Sequence, residues 1–209
     1  MSFETYLVSP VLTEPAAFRA RLEAALRLLN PASLLLDVPP GEERAQINLI
    51  KALAPLAQEA GVAVLVNTAP QVAVRGGADG VHVASPLLVG PAREALKAER
   101  IVGAGGLAAR HDAMDAGEAG ADYVMFGEPR ADGTVMTLSA LVDRASWWAE
   151  VFETPCVAWA ASAGAVEPLA ATRSEFVALG PWCFEDAAAA AAAVSEARAR
   201  IAARGKQPA

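Results

Sequence analysis

A few side chains in this sequence carry the chemistry of a site. Asp37 closes an apolar run, where its carboxylate can accept a hydrogen bond from a ligand or cap the helix that starts near Gly41. His82 ends the segment GADGVH (77–82), and its imidazole can serve either a site or a hydrogen-bonded core. With Glu128 they make two carboxylates and an imidazole, a set able to move protons without a metal, although spacing alone defines no nucleophile and base. Arg130 presents a planar fork suited to phosphate or carboxylate, or else a solvated loop charge.

Backbone donors form a second group. Gly105 and Gly106 let a ligand approach main-chain N–H groups. Ser162, Gly164 and Gly180 can cup a phosphate, in a space narrowed by Pro181, which lacks an N–H, and by the bulk of Trp182. Trp159 and Trp182 can line a mouth, and core packing accounts for them equally. His111 reads as a surface or helix-start residue.

These residues sit at the ends of recurring elements. Short β-branched runs occur at 5–9, 33–38, 63–68, 80–84, 101–105, 123–127, 156–160 and 176–180, separated by segments with helical spacing. In 14–29, Phe18, Leu22, Ala25, Leu26 and Leu29 share one face, as an outer barrel helix requires. Similar faces occur in 45–60 and 138–152, and a closing helix is expected over 185–203. The fold class is α/β: a single eight-stranded parallel (β/α)8 TIM barrel over 1–204, with a frayed tail at 205–209. Chemistry in such a barrel belongs at the carboxyl ends of the strands, and no GxGxxG follows the first strand to suggest an open dinucleotide-binding sheet.

An internal echo supports repetition. Gly77-Ala78-Asp79-Gly80-Val81 and Gly120-Ala121-Asp122-Tyr123-Val124 each end a helix and begin a strand. The glycine supplies a left-handed cap, and the aspartate is expected to hold the turn through bonds to backbone N–H groups.

Composition excludes several classes. A net charge of −7 with three lysines (Lys51, Lys97 and Lys206) provides no basic stripe for nucleic acid. No apolar run is long enough for a membrane span, and the first residues lack the basic start of a signal peptide, so the expected location is the cytoplasm. Cys156 and Cys183 have no metal-site spacing and read as buried thiols.

YLVS at 6–9, GADGVH at 77–82, IVGAGG at 101–106 and GADYVMFGEP at 120–129 together carry a family resemblance. The chain resembles the thiamine-phosphate synthase and thiazole tautomerase superfamily, most specifically over 62–129. The resemblance implies a β/α barrel of thiamine biosynthesis, in which a transferase joins an aminopyrimidine pyrophosphate to a thiazole phosphate with Mg2+. A phosphorylated heterocycle is thus the implied partner, and self-association stays open.

Position by position, much of the implied machinery is missing. The family's Gln, Arg and Lys on the second strand are replaced by Leu34, Leu35, Leu36 and Asp37. Asn67 is retained as a site or turn residue, but Thr68 stands where an aspartate would hold the metal, and residues 83–88 contain no second acid. No metal ligand set is therefore expected. Arg130 is the one cation placed to replace the lost lysine of the sixth loop, and synthase activity is expected to be weak or absent.

Overall fold

The structure is a computed structural model that describes residues 3–130 and 133–204. Strands and helices alternate: β1 (Glu4–Val8), α1 (Pro15–Leu29), β2 (Ser33–Leu36), α2 (Glu43–Gln58), β3 (Ala63–Val66), α3 (Pro70–Gly76), β4 (Gly80–Val83), α4 (Val89–Leu96), β5 (Ile101–Ala104), α5 (Arg110–Glu118), β6 (Tyr123–Phe126), α6 (Leu138–Val151), β7 (Cys156–Ala160), α7 (Ala163–Ala170), β8 (Phe176–Leu179) and α8 (Ala187–Arg204). All strand pairs are parallel, and β8 pairs with β1 to close the barrel. The TIM barrel expected from the alternation is the observed fold. The expected tail at 205–209 lies outside the described residues.

Two apolar layers follow from the period of two along each strand. Outward residues such as Leu7, Leu34, Val64 and Val177 meet the helices, which contribute Phe18, Leu22, Ile50 and Trp148. Inward residues Tyr6, Val8, Leu35, Leu65, Met125 and Val157 fill the barrel itself. Both cysteines are buried and free, and burial pushes each thiol up to about 12.

The barrel base is fastened by a repeated two-point contact. Asp79 donates its N–H to the Val64 carbonyl at 2.7 Å, and its Oδ2 accepts from the Val64 N–H at 2.7 Å. Asp122 grips Val102 in the same way, at 2.8 and 2.7 Å. These carboxylates thus bind the neighbouring strand instead of their own turn, which makes them barrel fasteners. Gly77 and Gly120, at φ of 86° and 93°, deliver each aspartate from its helix.

At the opposite end, several strands stop a residue or two before the apolar runs do. The N–H groups of Asp37 and Val38 are taken by side chains, Ser9 Oγ at 2.9 Å and Asn67 Oδ1 at 2.7 Å, in place of a backbone ladder. This is where the mouth begins.

Candidate functional site

The register of three adjacent strands sets the centre of the site. His82 pairs with Gly103, and Gly103 pairs with Tyr123, so the three lie in one row across β4, β5 and β6. Because Gly103 has no side chain, the Tyr123 ring can cross it; a Cβ there would overlap the phenol. Tyr123 reaches His82 Nδ1 at 2.9 Å, and Tyr6, from across the barrel, meets the Tyr123 hydroxyl at 2.8 Å. The imidazole and the Tyr123 ring also stack at 5.7 Å.

The row continues toward the mouth. His82 Nε2 lies 3.1 Å from Glu128 Oε2, and Glu128 Oε1 accepts from the Gly106 N–H. Gly105 is the clearing in which this pair meets, since a Cβ would collide with Glu128 Oε1 and His82 Nε2. Gly106 turns at φ 67° against the Ala84 carbonyl, a conformation that leaves no room for a side chain. Burial raises the pKa of both tyrosines, so they remain neutral donors; a second contribution at Tyr123 comes from the charge of its neighbour Tyr6. The His82 side chain is 5% exposed and that of Glu128 16%, so Glu128 is the member within reach of a ligand.

A separate polar pair closes the ends of β2 and β3. Asn67 Nδ2 donates to Asp37 Oδ1 at 2.7 Å while its Oδ1 receives the Val38 N–H. That backbone donor fixes the orientation of the amide. Asp37 does not cap α2, whose first residues are preceded by Glu42 without a side-chain cap. Its carboxyl pKa is raised, chiefly by burial and against the lowering effect of the Asn67 bond. The structure therefore joins His82 to Glu128 and Asp37 to Asn67, two constellations instead of one.

On the remaining loops, the Arg130 N–H donates to the Thr134 carbonyl at 3.0 Å, and the Arg130 carbonyl accepts from the Gly133 N–H at 2.8 Å. The Arg144 guanidinium is held below its usual range, first by burial and then by the charges of Arg110 and Arg130; it donates to the Ala108 carbonyl at 3.2 Å, while Arg110 lies over the Trp147 ring. Ser162 precedes α7 and makes no capping bond, and it is exposed together with Gly164. Gly180 is buried, and the space of its missing side chain is taken by the edge of Trp159. Trp182 packs against the helix layer and donates its Nε1–H to the Ala160 carbonyl at 2.8 Å.

A cleft of about 340 Å³, mostly apolar, opens between Leu12, Val38, Pro39, Gln46 and Leu49, on the side of the Asp37–Asn67 pair. Its size is that of small-ligand sites. A second, water-sized cleft of about 10 Å³ lies at Gly106, Glu128 and Arg130.

The magnesium implied by the resemblance does not fit this donor set. Asn67 turns an N–H toward the carboxylate of Asp37, and the Thr68 hydroxyl points to the Ala69 carbonyl. Among the described residues no three His, Cys, Asp or Glu side chains converge on a point that could hold a metal ion. A hard divalent cation prefers carboxylate and phosphate oxygens, and here one half-buried carboxylate, already bonded, is present.

Sequence reasoning named His82 and Glu128 but missed Tyr6 and Tyr123, which complete the row. Their signal was faint: inward-facing tyrosines on two strands, with Gly103 and Gly105 at alternate positions of the run between them.

Comparison with known proteins agrees with this architecture. A family model described as thiamine monophosphate synthase matches residues 5–180. The thiamine-phosphate synthase of Rhodospirillum centenum is 40% identical over 157 residues, covering 73% of this chain and 75% of that protein. The Hyphomonas neptunium thiamine-phosphate synthase is 36% identical over 196 residues, 89% of each chain. Among solved structures, a thiamine phosphate pyrophosphorylase from Pyrococcus furiosus superposes with a TM-score of 0.73 at 21% identity, covering 96% of both chains. A 3-hexulose-6-phosphate synthase gives 0.68 at 17% identity, over 93% of this chain and 98% of that one. At such identities the two structures show the fold alone.

Proposed function

This chain belongs to the thiamine monophosphate synthase family, and from that premise we propose that it is a thiamine-phosphate synthase-like barrel of thiamine biosynthesis whose synthase turnover is weak or absent. Its ligand is a small phosphorylated heterocycle held at the mouth, and any synthase turnover that persists is a transferase reaction. The working unit is the barrel over 1–204, placed in the cytoplasm, with self-association permitted. Among the described residues no helix is long and apolar enough to cross a membrane.

One observation carries the reading: the strand ends that would hold magnesium and pyrophosphate carry a bonded Asp37–Asn67 pair, a threonine and an apolar loop. Enclosing pyrophosphate without a compensating cation costs several kcal/mol, on the order of a buried unpaired charge. The planar fork of Arg130, with the exposed start of α7 at Ser162 and Gly164, supports binding of a single phosphate.

A second reading, a metal-independent isomerase or lyase, is favoured by the 3.1 Å contact of His82 with Glu128 and weakened by the separation of Asp37 from that pair.

The decisive assay supplies aminopyrimidine pyrophosphate, thiazole phosphate and magnesium to purified protein. Little thiamine phosphate is expected; turnover at roughly 1 per second or faster, an ordinary enzymatic rate, overturns the proposal. Thr68→Asp alone is expected not to restore activity. Calorimetry with thiazole phosphate is expected to show binding.

A further inference from the structure

The row from Tyr6 to Glu128 has a direction. An ionised carboxylate only accepts hydrogen bonds, so the contact at Glu128 Oε2 requires a proton on His82 Nε2. With a neutral ring, Nδ1 is then the acceptor for the Tyr123 hydroxyl, and Tyr123 in turn accepts from Tyr6. Every donor points toward the mouth. An imidazolium would donate from both nitrogens and leave one of the two tyrosine hydroxyl protons without an acceptor among the described residues.

A carboxylate offers about four lone-pair sites, and the His82 and Gly106 bonds occupy two. The others belong to a side chain that borders the water-sized cleft between Gly106, Gly127 and Arg130. A cleft of about 10 Å³ has room for one water-sized group beside the carboxylate. Facing an acceptor-only oxygen, that group must donate.

We propose that Glu128 is a preset hydrogen-bond acceptor for the amino group of a planar ligand, held in place by His82 locked as its Nε2–H tautomer. Tyr123 and Tyr6 are positioning residues: their hydroxyls select the tautomer, and Gly103 and Gly105 provide the space in which the row assembles. The ligand class rests on the heterocycle reading above; the tautomer does not.

The first test needs no ligand. The chain has two histidines, and His111 is a 79% exposed side chain outside the site, so full-length His111→Gln protein leaves one imidazole to observe. Nitrogen-15 NMR at neutral pH is expected to show the single Nε2–H tautomer. An Nδ1–H ring, an imidazolium or a fast-exchanging mixture overturns the lock. Tyr123→Phe keeps the ring, with folding checked by circular dichroism, and is expected to yield a tautomer mixture; an unchanged spectrum overturns the role of Tyr123.

The second test compares 2-aminopyrimidine with 2-methylpyrimidine, both neutral at pH 7, so that only the donor is replaced by a methyl group. At least about tenfold tighter binding of the amine is expected, falling to near parity in Glu128→Ala, since a site built around a polar partner rejects the analogue that lacks it. Equal binding to the wild-type protein overturns the acceptor role. Inorganic phosphate is titrated in parallel: its failure to bind counts against the phosphorylated-ligand reading and leaves the tautomer result standing, so the two fail separately.

Discussion

The base and the mouth of this barrel use the same kinds of side chain in opposite ways. At the base, Asp79 and Asp122 make the same two-point contact with the strand beside them, from the same Gly-Ala-Asp segment, at distances that agree within 0.1 Å. Among the described residues of the mouth the carboxylate contacts do not repeat: Asp37 binds an amide, Glu128 an imidazole and a backbone N–H, and the β7 and β8 ends are crowded by indoles. The geometry of a β/α unit repeats around a closed barrel, so a contact that serves the unit repeats with it. A contact that serves a ligand has no reason to.

Substitutions can break that contrast, and the largest effect is expected where the two regions meet. Gly103→Ala places a Cβ inside the Tyr123 phenol and should cost about 3 kcal/mol, read as a lower denaturant midpoint, because the ring cannot retreat from a filled barrel. At the base, Asp79→Ala and Asp122→Ala each strand a strand N–H and should cost about 1–3 kcal/mol with little effect on ligand affinity. A mouth-like loss of binding in either variant would erase the distinction.

At the mouth, Glu128→Gln should change stability by less than about 1 kcal/mol, since an amide oxygen still accepts from His82 or Gly106. The smallest effect is a gain. Burial lifts the folded-state pKa of Asp37 above its unfolded value, so the carboxyl favours the folded state while protonated, and that contribution fades as pH rises through the shifted pKa. Asp37→Asn keeps an acceptor for Asn67 and should raise stability by roughly 0.5 kcal/mol at pH 7, with no gain below the unfolded carboxyl range. Thermal melts at the two pH values check it; a loss at pH 7 would mean that the charge serves the fold.

How much of this was legible in the sequence varies with the range of the contact. All eight strands could be drawn to within about two residues, because alternating burial and turn-forming Gly-Ala-Asp segments are local signals. The overshoot at the β2 end arose because Leu36, Asp37 and Val38 read as one run, whereas their N–H groups part company at Ser9 and Asn67, 28 and 29 residues away. The bond from Asp79 to a neighbouring strand was misread as local for the same reason.

His82 illustrates the limit. By its neighbours it could be core or site, and it is both: buried in the barrel and bonded to a residue of the mouth.

The sequence by itself determined the barrel, its helical faces and the family, since periodicity, caps and motif residues act within a few positions of one another. It also determined that the strand ends lack the expected acids and lysines. Only the tertiary structure decided which residues form a site. Tyr6 and Tyr123 are 117 positions apart, and His82 and Glu128 46; closure of the sheet and the β4–β5–β6 register bring them together. Gly103 on β5 and Gly105 just beyond its end leave the space they share, and an empty space is the feature a sequence shows least.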